Sequence, residues 1–310
     1  MLIKLIPPGQ FGDTPLVVEF TVLQRLSFAS LTLSAMTSHK RLKLRQCTNC
    51  ECVINGVWEW VEECARSAAA EEPAMRGILD DVCLSRNSLA TSISARLARK
   101  LSRRDMPREL IEPLIREALT EDQNILSQIA QDLIAIVDRD PACRTPLEPL
   151  LFYKGFHAIT TYRISHWLWQ HDRTIMALQF QSLASEVFAV DIHPAATIGC
   201  GILLDHATSF VVGETAIIRD NVSILHEVTL GGTGKEEGDR HPIVESGVLI
   251  GAGAKILGRV TIGACAKIAA SSVVLENVPP HTTVAGVPAV IVNDSIPDNP
   301  ALDMNQCLCD

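Results

Sequence analysis

An aspartate and a histidine stand side by side at Asp205-His206, in the stretch LLDHATSFVVGETA, among apolar and small residues. An imidazole can take a proton from an alcohol near neutral pH, and a nearby carboxylate can orient the ring and support the cation that forms. A single histidine is nevertheless more often an ordinary surface residue. Whether the pair is a candidate acid–base site therefore depends on the elements that position it.

Two other stretches carry titratable side chains that could belong to the same site. Asp191, in DIHP, could orient the imidazole of His206 across a corner of the fold, or could be a turn residue before the following proline. Arg240 and His241, in DRHP, could contribute to the site or form a solvated charge cluster. His206, His226 and His241 could also be three metal ligands, and their spacing does not decide between these alternatives.

Aliphatic residues recur at every sixth position after about residue 190, and this period predicts a solenoid. Neither a helix nor an ordinary strand has such a repeat, which is typical of a three-sided coil of short parallel strands with one inward aliphatic per side. Small or β-branched residues stand four places after each anchor of the second run. The anchors are Ile192, Ile198, Leu204, Phe210, Ala216, Val222 and Val228, then Ile250, Ile256, Ile262, Ile268 and Val274.

The six-residue step is interrupted between Val228 and Ile250, which are 22 residues apart. The intervening sequence, GGTGKEEGDRHPIVESG, is polar and rich in glycine, so it predicts an excursion loop at about 231–247. Function is expected where a loop leaves a regular scaffold. Arg240 and His241 lie in this loop.

Helical periodicity precedes the solenoid, from about Trp58 to Val137. One helix is expected to start after Asp105, and the next to carry a capping box at Thr120 and to end before Pro141. The stretch GFHAITTYRISHWLWQHD predicts a further helix that ends near Asp172, with its tryptophans packed inside. The chain therefore divides into an unassigned N-terminal extension, an α-helical domain, a solenoid and a C-terminal tail, at 1–55, 56–188, 189–293 and 294–310.

Composition narrows the class of protein. The 27 basic and 36 acidic residues give a net charge of −9, which favours neither nucleic acid nor an anionic membrane as a partner. The longest uncharged stretch near the N-terminus, between Arg25 and Lys40, is too short to span a bilayer. Ten cysteines at irregular spacing predict reduced intracellular thiols. We therefore expect a soluble cytoplasmic protein.

Nine phrases of the sequence, in the same order as in the family, closely resemble the serine O-acetyltransferases of the hexapeptide-repeat acyltransferase superfamily. The resemblance runs from about residue 60 to residue 293. The phrases are RDPACRTPLEPLLFYKGFHA, YRISHWLWQ, DIHPAATIG, LDHAT, VVGETA, VTLGGTGK, GDRHP, IGAGAKILG and VPPHTTVAGVPA.

The resemblance implies an α+β fold, in which a helical N-terminal domain precedes a left-handed parallel β-helix. It also implies homotrimers formed through the β-helix, and often hexamers made of two trimers. The implied reaction transfers acetyl from acetyl-CoA to the hydroxyl of L-serine, without a metal or a permanently bound cofactor. Feedback inhibition by cysteine is expected because cysteine would compete at the serine site.

The same resemblance assigns roles to individual residues. It makes His206 the general base, Asp191 its orienting carboxylate and His241 a further catalytic residue. The residues that would hold serine are Asp140, Asp205, Arg240 and His241. The residues that would line the acetyl-CoA cleft are Gly232, Ala252, Lys267 and Ala270, with a positive patch formed by Lys255, Arg259 and Lys267.

The tail departs from the family pattern. Many relatives end in an isoleucine that docks into cysteine synthase, whereas this chain ends in MNQCLCD, so that complex is not expected in its usual form. Three other functions remain open: acetylation of a sugar or another amine, a metal-dependent hydratase using the histidines, and a non-catalytic scaffold for another enzyme of the cysteine pathway.

Overall fold

A computed structural model of the chain describes residues 49–234, 237–294 and 299–308. All of them belong to one compact unit, Gln46–Asp310. Most of the predicted N-terminal extension, up to residue 48, lies outside the described residues. Among the described helices, none is both long enough and apolar enough to cross a membrane.

The first part of the described chain is helical. Most of its longer helices are amphipathic and bury one apolar face, whereas the helix Lys154–Gln170 is buried on nearly all sides. The helices are α1 (Cys50–Glu71), α2 (Arg76–Leu79), which continues into a π-helical turn (Asp80–Leu84), α3 (Leu89–Leu101), α4 (Arg108–Glu121), α5 (Gln123–Arg139), α6 (Leu147–Leu151), α7 (Lys154–Gln170) and α8 (Thr174–Phe188).

The start of α5 differs from the predicted capping box. The N-cap is Asp122, whose carboxylate accepts a hydrogen bond from the backbone N–H of Asn124 at 2.9 Å. The hydroxyl of Thr120 instead donates back into α4, to the carbonyl oxygen of Arg116 at 2.9 Å. The capping-box prediction is therefore wrong, because an aspartate two residues later already satisfies the first free N–H groups of α5.

The helix ends agree better with the sequence. α4 begins directly after Pro107, and α5 ends at Arg139, before Pro141. α7 ends at Gln170, close to the predicted Asp172, and Trp167 is buried within it.

The chain after α8 forms a parallel β-helix with three sheets, which confirms the predicted three-sided coil. The first sheet contains β1 (Val190–Ile192), β4 (Phe210–Val212), β7 (Thr229–Gly231), β10 (Lys255–Leu257) and β13 (Val273–Val274). The second contains β2 (Thr197–Ile198), β5 (Ile217–Ile218), β8 (Ile243–Val244) and β11 (Thr261–Ile262). The third contains β3 (Leu203–Leu204), β6 (Ser223–Ile224), β9 (Leu249–Ile250), β12 (Lys267–Ile268), β14 (Thr283–Gly286) and the antiparallel β15 (Ala289–Asn293).

The turn that follows β3 is two residues longer than the sequence pattern suggested. Ile192 pairs with Val212, twenty positions on, whereas Ile250 pairs with Ile268, eighteen positions on. The inward anchors after Leu204 are consequently Val212, Ile218, Ile224 and Leu230. The predicted anchors Phe210, Ala216, Val222 and Val228 are also buried but lie two positions earlier. Phe210 is the first residue of β4, and the other three directly precede β5, β6 and β7. The six-residue spacing alone does not reveal the insertion, because the predicted anchors and the observed anchors are both apolar.

The excursion loop runs between β7 and β8. Ile243 already pairs with Ile217 on one side and with Thr261 on the other. The chain therefore returns to the coil a few residues before the predicted end near 247.

A buried ion pair joins the helices to the first coil. Arg163 on α7 donates to the carboxylate of Asp132 on α5 at 2.7 Å, and both side chains are at most 2% exposed. Asp132 also accepts from the backbone N–H of Ile202 at 2.9 Å, and Arg163 donates to the carbonyl of Gly199 at 2.7 Å. Because every charge has a partner, the pair holds α5 and α7 against the segment that leads into β3.

The C-terminal tail packs along the third sheet. Its short helix α9 (Pro300–Asp303) buries Ala301 completely. Ser223 donates to the carbonyl of Ala301 at 2.7 Å, and the ammonium of Lys267 donates to the carbonyls of Asn305 and Cys307.

The cysteines depart in one place from the predicted reduced thiols, since Cys52 is disulfide-bonded. The cysteines of the described residues that form no disulfide bond are Cys50, Cys64, Cys83, Cys143, Cys200, Cys265 and Cys307.

Candidate active site

A cavity of about 470 Å³ lies where the helices meet the end of β3. Asp140 reaches it from the C-terminal end of α5, Tyr153 from the start of α7, and Asp205 and His206 from the turn after β3. This volume is in the range of sites for small molecules. The structure thus brings three of the predicted site residues, Asp140, Asp205 and His206, into one cavity.

The turn that carries His206 contains the two additional residues of the first coil. His206, Ala207 and Ser209 have φ angles of 56°, 62° and 60°, a left-handed conformation that non-glycine residues seldom adopt. Ala207 is fully buried beneath α7, while the side chain of His206 is 74% exposed with its Nε2 3.6 Å from an oxygen of Asp205. The imidazole of His206 therefore faces outward at the corner that contains the insertion.

Gly155 lets α7 approach this turn closely. A Cβ at Gly155 would lie 2.0 Å from the carbonyl oxygen of Leu204, which is a backbone atom that cannot move aside. Only glycine therefore fits at this point of the helix without displacing the end of β3.

The carboxylates of the cavity influence one another. Burial raises the pKa of Asp205, His206 opposes this, and the neighbouring charge of Asp140 raises it further. Two carboxylates near each other in a partly buried site are suited to hold a cationic group.

His226 lies directly above His206 in the next coil, because Leu204 pairs with Ile224 and each histidine follows its anchor by two residues. The ring centroids are 5.7 Å apart, with the rings edge to face. The Nδ1 atom of His226 is buried and makes no hydrogen bond among the described residues. Sequence reasoning considered His226 only as a metal ligand, since the predicted register did not place the two histidines in one column.

The other predicted catalytic and serine-binding residues surround a different corner, between the first and second sheets. Arg240 forms an ion pair with Glu214 at 2.7 Å, and Nδ1 of His241 lies 3.1 Å from the backbone nitrogen of Thr215. Asp191 accepts a hydrogen bond from Gln181 at 2.7 Å.

Asp191 also interacts electrostatically with a histidine at this corner. Burial lowers the pKa of His193, whereas the charges of Glu214 and Asp191 raise it. Among the described residues, no hydrogen bond or ion pair joins Asp191 to His206. A single chain therefore carries two separate groups of candidate residues at two corners.

The residues predicted for acetyl-CoA are also divided. Ala252 and Ala270 follow Ile250 and Ile268 by two positions, so they continue the column of His206 and His226. Gly232 lies instead at the other corner, where a Cβ would be 3.5 Å from the side chain of Arg240.

The three residues of the predicted positive patch all donate to backbone carbonyl oxygens. Lys267 is 6% exposed and binds carbonyls of the tail, and Lys255 donates to the carbonyl of Glu227. Arg259 donates to the carbonyls of Thr215 and His241 at 2.9 and 3.0 Å. Lys255 lies in the first sheet and Lys267 in the third, and whether the three cations act together on one ligand stays a prediction.

The three histidines considered as metal ligands do not converge in one chain, since His241 lies at the other corner. Within 49–234, 237–294 and 299–308, no group of three or more His, Cys, Asp or Glu residues is arranged to hold a metal ion.

The coil of six-residue repeats, with an exposed imidazole at its corner and a helical region before it, defines an acyltransferase of the hexapeptide-repeat class. The family model "Bacterial transferase hexapeptide (six repeats)" matches residues 241–276, and "Serine acetyltransferase, N-terminal" matches residues 57–161. The serine acetyltransferase of Escherichia coli strain K12 is 50% identical over 250 residues, which cover 81% of this chain and 92% of that protein. The chain belongs to the serine acetyltransferase family.

Three similar solved structures are named with ligands. A serine acetyltransferase in complex with cysteine has a TM-score of 0.80 and 49% identity, covering 81% of this chain and 98% of the other. The soybean enzyme complexed with serine has a TM-score of 0.76 and 50% identity, covering 77% and 99%. The Brucella abortus strain S19 enzyme in complex with coenzyme A has a TM-score of 0.76 and 46% identity, covering 77% and 96%.

Proposed function

We propose that this chain is an enzyme that transfers acetyl from acetyl-CoA to the hydroxyl of L-serine, giving O-acetyl-L-serine and CoA. The observation that carries the proposal is the shared cavity of Asp140, Asp205 and His206. It places two carboxylates, which suit the ammonium group of an amino acid, beside an imidazole that can take a hydroxyl proton. Family membership and the soybean enzyme complexed with serine support this assignment.

In the proposed reaction, the imidazole of His206 takes one proton and later returns it. His206 takes the hydroxyl proton as the serine oxygen attacks the thioester carbonyl, so that a C–O bond forms. When the tetrahedral intermediate collapses, the C–S bond breaks and His206 returns the proton to the departing thiolate. A positioned base contributes roughly 10² to 10⁴ in rate.

The second group of residues would complete the site. Arg240 is suited to the planar carboxylate of serine, because its guanidinium can form two parallel hydrogen bonds. Asp191 would orient the imidazole of His206, and His241 would contact the substrate. Since these residues lie at a different corner from His206, we infer that a second copy of the chain supplies them at a seam between coils.

A homotrimer closed around a threefold axis would form three such seams. Pairing of trimers into hexamers through the helical region stays a prediction.

Acetyl-CoA would lie along the column of corners that begins at His206. Ala252 and Ala270 have small side chains there, which leaves room for the pantetheine arm beside the coil. The Brucella abortus structure in complex with coenzyme A supports CoA binding in this family. Lys267 could contact CoA only after exchanging the tail carbonyls that it now binds.

Cysteine would compete with serine for the site, since it presents the same ammonium and carboxylate groups. The related structure in complex with cysteine supports competition at this site. Two expectations stay predictions: that a complex with cysteine synthase does not form in its usual way, and that the protein is cytoplasmic.

A thiol-release assay with acetyl-CoA and a panel of acceptors tests the proposed function. We expect release with L-serine, little release with galactosides, no effect of a chelator, and near-complete loss in His206→Ala. Release that does not require serine, or full activity of His206→Ala, would refute the proposal. Metal-dependent turnover would favour the hydratase. If the protein were inactive with every acceptor but bound cysteine synthase in a pull-down, the non-catalytic scaffold would be favoured.

A further inference from the structure

Thr215 contacts the imidazole of His241 through two of its own groups. The backbone nitrogen of Thr215 lies 3.1 Å from Nδ1 of His241, and its hydroxyl oxygen lies 3.0 Å from the same atom. Thr215 belongs to the stretch VVGETA, on the coil before the excursion loop that carries His241. Both contacts therefore meet a single ring nitrogen.

The chemistry of these groups determines where the ring proton lies. A backbone N–H can only donate, so Nδ1 must accept and cannot carry a hydrogen of its own. The Thr215 hydroxyl accepts from the backbone N–H groups of Arg240 and His241, at 3.0 and 3.2 Å. Its own hydrogen is thus left to donate to Nδ1. The neutral ring must then carry its hydrogen on Nε2.

Two further residues hold the ring in this position. A Cβ at Gly213 would lie 2.0 Å from Nε2 and Cδ2 of His241, so only glycine leaves space for the imidazole. Arg259 donates to the carbonyls of both Thr215 and His241 and thereby ties the two backbone segments together.

The surrounding charges favour the neutral ring. Burial lowers the pKa of His241, the cation of Arg240 lowers it further, and Glu214 opposes them. Nε2 makes no hydrogen bond to another described residue. It is thus the remaining polar atom of the ring that can meet a ligand.

We infer that Thr215 is a positioning residue that fixes His241 as the Nε2–H tautomer, so that His241 acts as a hydrogen-bond donor to a substrate oxygen and not as a proton acceptor. The role in acetyl transfer rests on the proposed function, whereas the tautomer does not. The two imidazoles then have different roles, with His241 as a hydrogen-bond donor and His206 as the base.

The tautomer can be measured directly on the full-length protein. Selective ¹⁵N labelling of histidine and two-bond ¹H–¹⁵N correlation spectra distinguish a protonated from an unprotonated ring nitrogen. The signals of His241 are identified by their loss in His241→Gln. We expect a protonated Nε2 and an unprotonated Nδ1 at neutral pH, and a protonated Nδ1 would overturn the inference even if the protein proved not to acetylate serine.

Two pairs of variants test the role in turnover. Gln can donate from near the position of Nε2, whereas ionised Glu can only accept, so His241→Gln should retain at least about tenfold more activity than His241→Glu. Equal activities, or the reverse order, would contradict the donor role. Thr215→Val keeps the backbone N–H that donates to Nδ1, so Nδ1 should stay unprotonated. The lost hydroxyl contact should nevertheless shift the Nδ1 signal and lower activity about tenfold. Thr215→Ser, which keeps the hydroxyl, should remain close to the parent in both measurements, and a Thr215→Val variant with the parent's Nδ1 signal and activity would contradict the role of the hydroxyl. If the parent has no activity with serine, only the proposed function fails.

Discussion

His226 meets the ring of His206 edge to face, with the ring centroids 5.7 Å apart. The contact follows from the pairing of Leu204 with Ile224, which stacks the two corners. The candidate base therefore has a second imidazole as its neighbour within the same chain. Any charge placed at residue 226 should act directly on His206.

Replacing His226 with lysine should move the acid limb of the kcat/KM profile to lower pH. A fixed positive charge penalises the protonated form of a neighbouring imidazole, so His206 would stay neutral and competent as a base in more acidic solution. We expect a displacement of up to about one pH unit that shrinks at high salt. His226→Gln adds no charge and serves as the control, and a displacement to higher pH in the lysine variant would contradict this electrostatic argument.

The affinity for serine should fall as the solution is made acidic. Burial and the charge of Asp140 raise the pKa of Asp205 against the opposing effect of His206, so Asp205 gains a proton at a higher pH than an ordinary aspartate, whose pKa is about 3.9. A protonated Asp205 cannot pair with the ammonium of serine, and the KM for serine should rise as the pH falls through this raised pKa.

Asp140→Asn tests whether the charge of Asp140 raises the pKa of Asp205. It removes a charge that raises the pKa of Asp205, so the rise in KM should begin at lower pH, although KM is higher throughout because one serine ligand is lost. The control Asp172→Asn removes an exposed carboxylate at the far end of α7 and should leave the profile unchanged. Profiles that coincide for Asp140→Asn and the parent, after scaling, would disprove the coupling.

Gly155→Ala should reduce both stability and turnover. The added Cβ would press on the carbonyl oxygen of Leu204, which forces α7 away from β3 and displaces the turn that carries His206. We expect destabilisation by about 1–3 kcal/mol, measured by urea denaturation, with a lower kcat. Gly77→Ala is the matched control, because nothing lies within 4 Å of its Cβ, and it should stabilise α2 by roughly 0.5–1 kcal/mol. Equal stability of the two variants would show that the close approach is not required.

Asp132→Ala should be far more destabilising than the loss of a surface ion pair. It leaves the buried guanidinium of Arg163 without its carboxylate, at a cost of about 3–5 kcal/mol. Glu117→Ala breaks the exposed pair with Arg173 and should cost less than about 1 kcal/mol. Thermal and urea denaturation of the two variants measure the difference, and a cost below about 1 kcal/mol for Asp132→Ala would refute the proposed role of the buried pair.

The six-residue period was sufficient to predict the three-sided coil, but not its phase. Phe210 and Val212 are both apolar and both buried, so hydrophobicity alone cannot reveal which of them is the anchor after the lengthened turn. The strand pairing of Ile192 with Val212 resolves this. The stacking of His206 and His226 could have been predicted only with the correct phase.

The candidate site shows a similar limit. Asp205 and His206 are adjacent in the sequence, whereas Asp140 was assigned to the site through family resemblance. The contact of Thr215 with His241 involves a backbone N–H, a group that every residue except proline possesses and that no sequence pattern distinguishes. Lys267 could be recognised as a family residue, but its burial beneath the tail depends on how the last residues pack.

The two residues added at the His206 corner leave the strands on either side in unbroken pairing, from Leu204 with Ile224 to Val190 with Phe210. Insertions are thus accommodated in the turns, while the three sheets keep their strand register. Each bend behaves as a replaceable module, and a designer could transplant longer or differently charged bends onto this support without redesigning the interior.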